Sequence, residues 1–149
     1  MSTEKKPSEV PGTYVAHSTQ QVVVVDDSAT QITLYERSIE SLSAQLTAFC
    51  ATDEALEFLH RNHVDLLFLD LVMARTDGLT FLRELRGIYR HASTNVVVVT
   101  SKDYAQDRVL ARELGALDYL VKPLRSQEIR DVICKHTDTR SSANDPADS

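Results

Sequence analysis

The sequence has few of the residues on which disulfide-rich, zinc-binding and dinucleotide-binding proteins depend. It contains two cysteines, Cys50 and Cys134, which are too few for a disulfide framework or a zinc site. We expect both thiols to lie in or near the core, because free cysteine behaves as a small apolar side chain. The four glycines are scattered, so they form no glycine-rich loop that could bind the phosphates of a dinucleotide.

Long apolar runs and an excess of basic residues are also absent from the sequence. No run is long enough to cross a bilayer, and the first twenty residues do not resemble a signal peptide. The 16 lysines and arginines are outnumbered by 22 aspartates and glutamates, and the net charge of −6 disfavours general binding to nucleic-acid phosphates. We therefore expect a reduced, cytoplasmic protein that contacts neither a membrane nor nucleic acid directly.

The two ends of the chain differ in composition from its middle. Residues 1–20 contain two prolines and a glycine among polar residues, and residues 137–149 contain no apolar residue type except alanine. Such segments cannot bury enough apolar surface to offset the entropy lost on ordering. We expect a flexible N-terminal extension over 1–20, one folded domain over 21–136, and a flexible C-terminal tail over 137–149.

Strand and helix patterns alternate through the folded part. Short apolar runs, several of them β-branched, predict buried strands at 22–25, 46–50, 66–69, 96–99 and 117–121. Apolar residues at helical spacing follow each run and predict five helices. This alternation predicts an α/β fold, a doubly wound parallel sheet of five strands with helices on both faces.

Local signals indicate where the helices begin and end. Ser28 and Thr52 are expected to cap the first and second helices. Asp103 is expected to begin the fourth helix, and Gly115 is expected to end it.

Polar side chains stand where the predicted strands end. Asp26 and Asp27 follow the first strand, and Asp70 follows the third. Thr100 follows the fourth strand, and Lys122 follows the fifth. If the strand order is the common 2-1-3-4-5, Asp70 lies between the acidic pair, the hydroxyl and the lysine, at the edge where sites form in open sheets.

Three carboxylates at one sheet edge require compensation. Two unit charges about 4 Å apart repel by roughly 4 kcal/mol at an effective dielectric of 20. A bound cation or raised pKa values relieve this repulsion, and hard oxygen ligands with open water positions suit Mg²⁺. Asp70 is then a candidate nucleophile for phosphoryl transfer, with Lys122 and Thr100 available to bind phosphoryl oxygens. Each of these residues alone would be read as an ordinary turn, cap or surface residue.

Four segments of the sequence resemble the receiver domains of two-component response regulators, in particular the chemotaxis-regulator type. They are VVVVDDS at 22–28, LFLDLVMARTDG at 67–78, VVVVTS at 96–101 and GALDYLVKPL at 115–124. The resemblance covers about 22–136, with each motif at a predicted strand end and in the expected order. It implies a flavodoxin-like fold with strand order 2-1-3-4-5.

The resemblance also implies a role for each matching residue near the acidic site. Asp70 matches the phosphoacceptor. Asp26 and Asp27 match the acidic metal site, in which Asp70 and the backbone carbonyl of Val72 complete the protein ligands of Mg²⁺. Ala74 stands where the family generally has proline, which is expected to loosen the loop after Asp70.

The resemblance implies further roles for residues at the last two predicted strands. Thr100 and Lys122 match the groups that bind the phosphoryl oxygens. Tyr119 matches the aromatic switch residue that turns inward when Thr100 moves toward the phosphate. Pro123 matches a proline preceded by a cis peptide bond, which is rare except before proline.

Val72 cannot hydrogen-bond an attacking water, so slow spontaneous dephosphorylation is predicted.

Together these matches predict a phosphorylation-operated signalling domain that assists its own phosphorylation and dephosphorylation but is not an enzyme. A sensor histidine kinase or phosphotransfer protein would be the donor. The surface of the fourth helix, fifth strand and fifth helix would change its preference for a downstream protein target. A homodimer through this surface is a further hypothesis, with candidate cross-pairs among Asp107, Arg108, Asp118 and Arg130.

Two other functions stay open on the residues. An aspartyl-phosphate hydrolase would need an acid two residues after the nucleophile, where this chain has Val72. A scaffold that is not phosphorylated would leave the reactive positions without a purpose. The 149 residues contain no output domain, so we favour a stand-alone regulator over a receiver belonging to a longer protein.

Overall fold

A computed structural model describes residues 19–140. Most of the predicted N-terminal extension and residues 141–149 of the predicted tail lie outside the described residues. The five strands β1 to β5 are Gln20–Val25, Ala44–Phe49, Leu66–Asp70, Val96–Thr100 and Asp118–Val121. The five helices α1 to α5 are Ala29–Ile39, Thr52–Arg61, Gly78–Arg86, Ala105–Glu113 and Ser126–His136.

All five strands pair in parallel in the order β2-β1-β3-β4-β5, which confirms the predicted flavodoxin-like α/β fold. Every residue of β3 and β4 is buried, as continuous apolar runs predict for central strands of a parallel sheet. The register pairs Val25 with Leu69 and Asp70 with Val99. The residues that follow β1 and β3 therefore meet at one edge of the sheet.

Helices cover both faces of the sheet, because alternate strand residues point to opposite sides. On one face, Val23 and Val25 pack with residues of α2, α3 and α4, including Leu59 and Phe81. On the other face, the neighbouring valines of β1 pack with residues of α1 and α5, including Tyr35. Within residues 19–140, no helix is long and apolar enough to cross a membrane.

The first helix begins as predicted and the second does not. The Ser28 hydroxyl accepts a hydrogen bond from the Gln31 backbone N–H at 3.3 Å, so Ser28 caps α1. The prediction that Thr52 caps α2 is wrong, since Ala51 is the capping residue and Thr52 is already helical. The Thr52 hydroxyl lies instead 3.3 Å from the hydroxyl of Thr76. This contact with a distant residue replaces the capping hydrogen bond that was expected from Thr52.

The fourth helix begins two residues later than predicted. Tyr104 is its capping residue, and the Asp103 side chain pairs with Arg108 instead of beginning the helix. The predicted end is confirmed. Gly115 follows the C-cap Leu114 with φ +87°, a conformation that glycine adopts without steric cost.

The prediction that both cysteines lie in or near the core is wrong, since Cys50 and Cys134 are exposed. Cys50 directly follows the edge strand β2, where one flank of the chain faces solvent. Cys134 lies on the outer side of α5, whose inner side carries Ile129 and Ile133. Each cysteine is adjacent to an apolar residue in the sequence, but its side chain does not face the same side as that residue.

The chain remains packed for four residues beyond α5. The carbonyl of Arg140 accepts a hydrogen bond from the Ser43 backbone N–H at 2.9 Å, and Thr139 is buried. The backbone N–H of Asp138 donates to the Gln20 side chain at 3.3 Å. Residues 137–140 therefore join the folded unit, although the sequence placed them in the tail.

Candidate metal and phosphorylation site

Three aspartates converge where β1 and β3 end. One carboxylate oxygen from each of Asp26, Asp27 and Asp70 lies within 4.8 Å of the others. Asp26 and Asp70 are 1% and 2% exposed, whereas Asp27 is open to solvent. The pairing of β1 with β3 produces this arrangement, because it brings the ends of both strands to the same level.

Backbone N–H groups hold one oxygen of each carboxylate. Asp26 Oδ1 accepts from the Ser28 N–H at 2.9 Å, and Asp70 Oδ1 accepts from the Val72 N–H at 3.2 Å. Asp27 Oδ2 accepts from the Ala74 N–H at 2.7 Å. These bonds fix the directions of the carboxylates before any ligand arrives.

The bond to Asp27 also changes the interpretation of Ala74. A proline at this position has no N–H and could not form it. The expectation that alanine loosens the loop is therefore incomplete, because Ala74 also ties that loop to an acidic residue of the site.

Lys122 brings a cation into the carboxylate cluster. Its Nζ lies 3.1 Å from Asp26 Oδ2 and 3.4 Å from Asp70 Oδ2, and the side chain is only 16% exposed. The Lys122–Pro123 peptide bond is cis, as the resemblance implies. One ammonium leaves three carboxylates with excess negative charge, and Asp26 Oδ2 has the ion pair with Lys122 but no further hydrogen-bond partner within residues 19–140. Hard oxygen donors in excess of the local positive charge fit a divalent cation such as Mg²⁺.

The shortage of positive charge affects the titration of the cluster. Burial and the nearby charge of Asp26 raise the pKa of Asp70 to about 6, although Lys122 and the Val72 N–H act in the opposite direction. Burial and the negative charges of Asp26 and Asp70 raise the pKa of Tyr35, which packs against Phe68 of β3, well above its usual value. Asp70 is thus largely ionised at neutral pH, but at an energetic cost that a cation would reduce.

Thr100 and Tyr119 occupy neighbouring strands on the far side of Asp70. Thr100 is buried, and its hydroxyl donates to the Lys102 carbonyl and accepts from the Lys102 N–H, both at 3.0 Å. Its hydroxyl is therefore engaged with the loop after β4. The Tyr119 hydroxyl is buried and has no hydrogen-bond partner among the described residues.

Gly78 packs against the backbone of Asp70 and Leu71, a role that the sequence analysis missed. A Cβ at this position would lie 2.6 Å from the Asp70 carbonyl oxygen and 2.6 Å from Leu71 Cα. The Gly78 N–H also donates to the Leu71 carbonyl at 3.1 Å. The available signal was a glycine in the same motif as Asp70, directly after Asp77, in a chain with four glycines.

The geometry agrees with what the chain resembles among known proteins. The family model for the response regulator receiver domain matches residues 22–134. The chain belongs to this family. It is thus a receiver domain of two-component response regulators, a signalling domain, and its acidic cluster fits magnesium binding.

Relatives of this receiver domain include two longer regulators. The cyclic di-GMP phosphodiesterase response regulator RpfG of Xanthomonas campestris pv. campestris is 35% identical over 111 residues, which cover 73% of this chain and 29% of RpfG. The transcriptional regulatory protein BaeR of Escherichia coli is 32% identical over 115 residues, which cover 77% of this chain and 47% of BaeR. The receiver domain thus spans less than half the length of either relative.

The fold has matches among solved structures as well. The chemotaxis response regulator CheY4 of Vibrio cholerae superimposes with a TM-score of 0.73 at 19% identity. The match covers 79% of this chain and 98% of CheY4. At this identity the likeness concerns the fold alone.

Proposed function

We propose that this receiver domain accepts a phosphoryl group on Asp70 in a magnesium-dependent reaction and transmits the change through the surface of α4, β5 and α5. A sensor histidine kinase or a phosphotransfer protein is the donor, and a downstream protein is the target. The observation that carries the proposal is the position of Asp70, which lies within 4.8 Å of two further carboxylates and 3.4 Å from Lys122.

The metal ligands are the carboxylates of Asp27 and Asp70, assisted by Asp26 and by the backbone carbonyl of Val72. The Val72 peptide lies beside the cluster, since its N–H donates to Asp70. A bound Mg²⁺ would neutralise carboxylate charge and bind oxygens of the incoming phosphoryl group. Asp27 is the one exposed member of the cluster, so it is the first that a hydrated cation from solvent meets.

An Asp70 carboxylate oxygen attacks phosphorus, and the bond between phosphorus and the donor atom breaks as the new O–P bond forms. The electron pair of the broken bond stays with the donor. Lys122 Nζ, already beside Asp70, binds a phosphoryl oxygen. The Thr100 hydroxyl leaves the Lys102 backbone to donate to a second phosphoryl oxygen.

Movement of Thr100 carries the signal outward. Thr100 ends β4, and its neighbour in β5 is Val121, two residues after Tyr119. Space released by Thr100 lets the Tyr119 side chain, which is already partly buried, turn further inward, and this changes the exposed surface between α4 and α5. Exposed apolar side chains there provide contact area for a target or a second copy of the chain, namely Tyr104, Val109, Leu110, Leu117 and Val121.

Incubation with Mg²⁺ and acetyl phosphate, followed by intact mass measurement, tests this proposal. We expect one added phosphoryl group in the wild type and none in Asp70→Ala or in the presence of EDTA. Asp53→Ala is a matched control, since Asp53 is exposed in the first turn of α2, and it should be phosphorylated normally. Equal labelling of Asp70→Ala and the wild type would disprove the proposal.

A further inference from the structure

Arg108 on α4 joins two parts of the molecule that the proposed switch must move. Its guanidinium lies over the Tyr119 ring, with Cζ 4.4 Å from the ring centroid. The same group forms two hydrogen bonds to Asp103, from Nε to Oδ1 at 2.7 Å and from Nη2 to Oδ2 at 3.1 Å. A planar guanidinium can stack on an aromatic face while it binds a carboxylate in its plane, which an ammonium cannot do.

These contacts connect Tyr119 to Thr100 through the loop after β4. Asp103 directly follows Lys102, whose backbone N–H and carbonyl both bind the Thr100 hydroxyl at 3.0 Å. The path from Thr100 through Lys102, Asp103 and Arg108 therefore ends on the ring of Tyr119. Movement of Thr100 toward a phosphoryl group would break both of its bonds to Lys102, at one end of this path.

The two ends of α4 are held unequally. At its C-terminal end, Arg86 donates to the Leu114 carbonyl at 2.8 Å and to the Gly115 carbonyl at 3.3 Å. Ala111 is the single buried residue of the helix. Within residues 19–140, the Asp103–Arg108 pair is a side-chain link, in addition to backbone bonds, that ties the start of α4 to the preceding loop. The start of the helix is thus the end that can move when this pair opens.

The Tyr119 hydroxyl does not contribute to holding the ring, because it is buried without a hydrogen-bond partner in the described part of the chain. The ring is kept in place by its packing against the core on one side and by Arg108 on the other. Loss of the Arg108 contact would leave only the packing.

We propose that Arg108 is a positioning residue that holds Tyr119 and the Asp103 loop in the arrangement in which Thr100 binds the Lys102 backbone. This inference rests on the proposed function. Phosphoryl binding must break the Arg108 contacts, so they set how much phosphoryl mimic is needed to switch the domain. Removal of Arg108 makes switching easier without changing the groups that bind Mg²⁺ and phosphate.

Titration with beryllofluoride, a phosphoryl mimic, in the presence of Mg²⁺ tests this inference on the full chain. Protein labelled with 3-fluorotyrosine reports on the ring by fluorine NMR, and a Tyr119→Phe variant identifies the resonance among the five tyrosines. For Arg108→Ala we expect half-saturation at about three- to tenfold lower mimic concentration than in the wild type. Its Tyr119 resonance should already be displaced, before mimic is added, toward the position in the saturated wild type.

Further variants separate the proposed contacts from general effects. Asp103→Asn should shift half-saturation in the same direction as Arg108→Ala, and the double variant should add little because both changes break one path. Arg108→Lys should fall between the wild type and Arg108→Ala, and it provides a second test that keeps the charge. Arg112→Ala is the matched control, since Arg112 lines the same surface depression beside Tyr119 without touching Asp103. We expect it to behave as wild type.

Two results would overturn the inference in different ways. Equal half-saturation for wild type, Arg108→Ala and Arg108→Lys, or an equal shift in Arg112→Ala, would remove Arg108 from the switch and leave the proposed function intact. Failure of the wild type to respond to Mg²⁺ and beryllofluoride would overturn the proposed function, and this inference with it.

Discussion

The ammonium of Lys122 lies 3.4 Å from the Asp70 carboxylate and forms an ion pair with it at a nearly buried position. A second ion pair, 3.1 Å long, joins the same ammonium to Asp26. Lys122 therefore partly neutralises the acidic cluster, and its ammonium lies beside the carboxylate that is proposed to attack phosphorus. Two opposite roles follow for it, since it should weaken metal binding and assist phosphoryl binding.

Substitution Lys122→Met tests both roles. Loss of the positive charge should strengthen Mg²⁺ binding several-fold, because the metal no longer competes with a nearby cation. The same change should weaken beryllofluoride binding, because a phosphoryl oxygen loses its partner. Isothermal titration measures both affinities. Lys135→Met is the control, as Lys135 is exposed and pairs with Asp118 at 3.7 Å, and unchanged affinities in Lys122→Met would contradict the assignment.

A second prediction concerns stability and pH in metal-free protein. Burial raises the pKa of Asp70 to about 6, above the value in an unfolded chain, so the folded state holds this proton more tightly. The contribution to stability is present at low pH and is lost as pH rises from about 4 to about 6. Asparagine cannot ionise, so Asp70→Asn avoids this loss of stability. The substitution should therefore raise the free energy of unfolding at neutral pH by about 1–3 kcal/mol.

Urea denaturation from acid to neutral pH, in EDTA and in Mg²⁺, measures this effect. The advantage of Asp70→Asn over the wild type should grow through the stated pH range in EDTA and then level off. Added Mg²⁺ should stabilise the wild type more than the variant. A difference in the free energy of unfolding between the two proteins that does not change with pH would argue against a raised pKa of Asp70.

The third prediction concerns the glycine beneath the loop after Asp70. Gly78→Ala should destabilise the protein by about 1–3 kcal/mol, because its Cβ would meet backbone atoms that cannot move independently. Displacement of Asp70 should also weaken Mg²⁺ binding by about tenfold. Gly87→Ala is the matched control, since its Cβ would approach only the Glu84 carbonyl, at 3.3 Å. Normal metal affinity in Gly78→Ala would show that the loop adapts.

A fourth prediction concerns the lifetime of the phosphorylated form. The Val72 side chain is 40% exposed beside Asp70 and offers no hydrogen bond to an attacking water. The acyl phosphate should therefore persist well beyond seconds, and Val72→Asn should shorten its lifetime by positioning a water. Val72→Ala separates the loss of bulk from the gain of a polar group and should change the decay less. Loss of the phosphoryl group from the wild type within seconds would contradict this interpretation.

The strands could be predicted because their signal is local and redundant, whereas their order was expected from the common arrangement and from the resemblance to receiver domains. Val22 to Val25 and Val96 to Val99 are continuous β-branched runs, and such runs occur where a strand is covered on both faces. Once the order is 2-1-3-4-5, the polar residues after β1, β3 and β5 must meet. The convergence of Asp26, Asp70 and Lys122 follows from topology alone.

Side-chain partners were harder to predict, because several choices are close in free energy. Thr52 and Asp103 are residue types typical of helix starts, but their side chains bind elsewhere, Thr52 to the distant Thr76 and Asp103 to Arg108. The exposure of Cys50 depends on the position of β2 at the sheet edge, which no local pattern encodes. A helix cap and an exposed side-chain contact each contribute about 1 kcal/mol to stability, so the sequence alone does not decide which of them forms.

The central claim is that Asp70 itself becomes covalently phosphorylated, and reductive trapping tests it most directly. Borohydride reduces an aspartyl phosphate to homoserine, which peptide mass mapping locates to one residue. After treatment with Mg²⁺ and acetyl phosphate, the account predicts homoserine at position 70 and unmodified Asp26 and Asp27. Homoserine at either of those two positions, or a fully unmodified peptide containing Asp70, would contradict it.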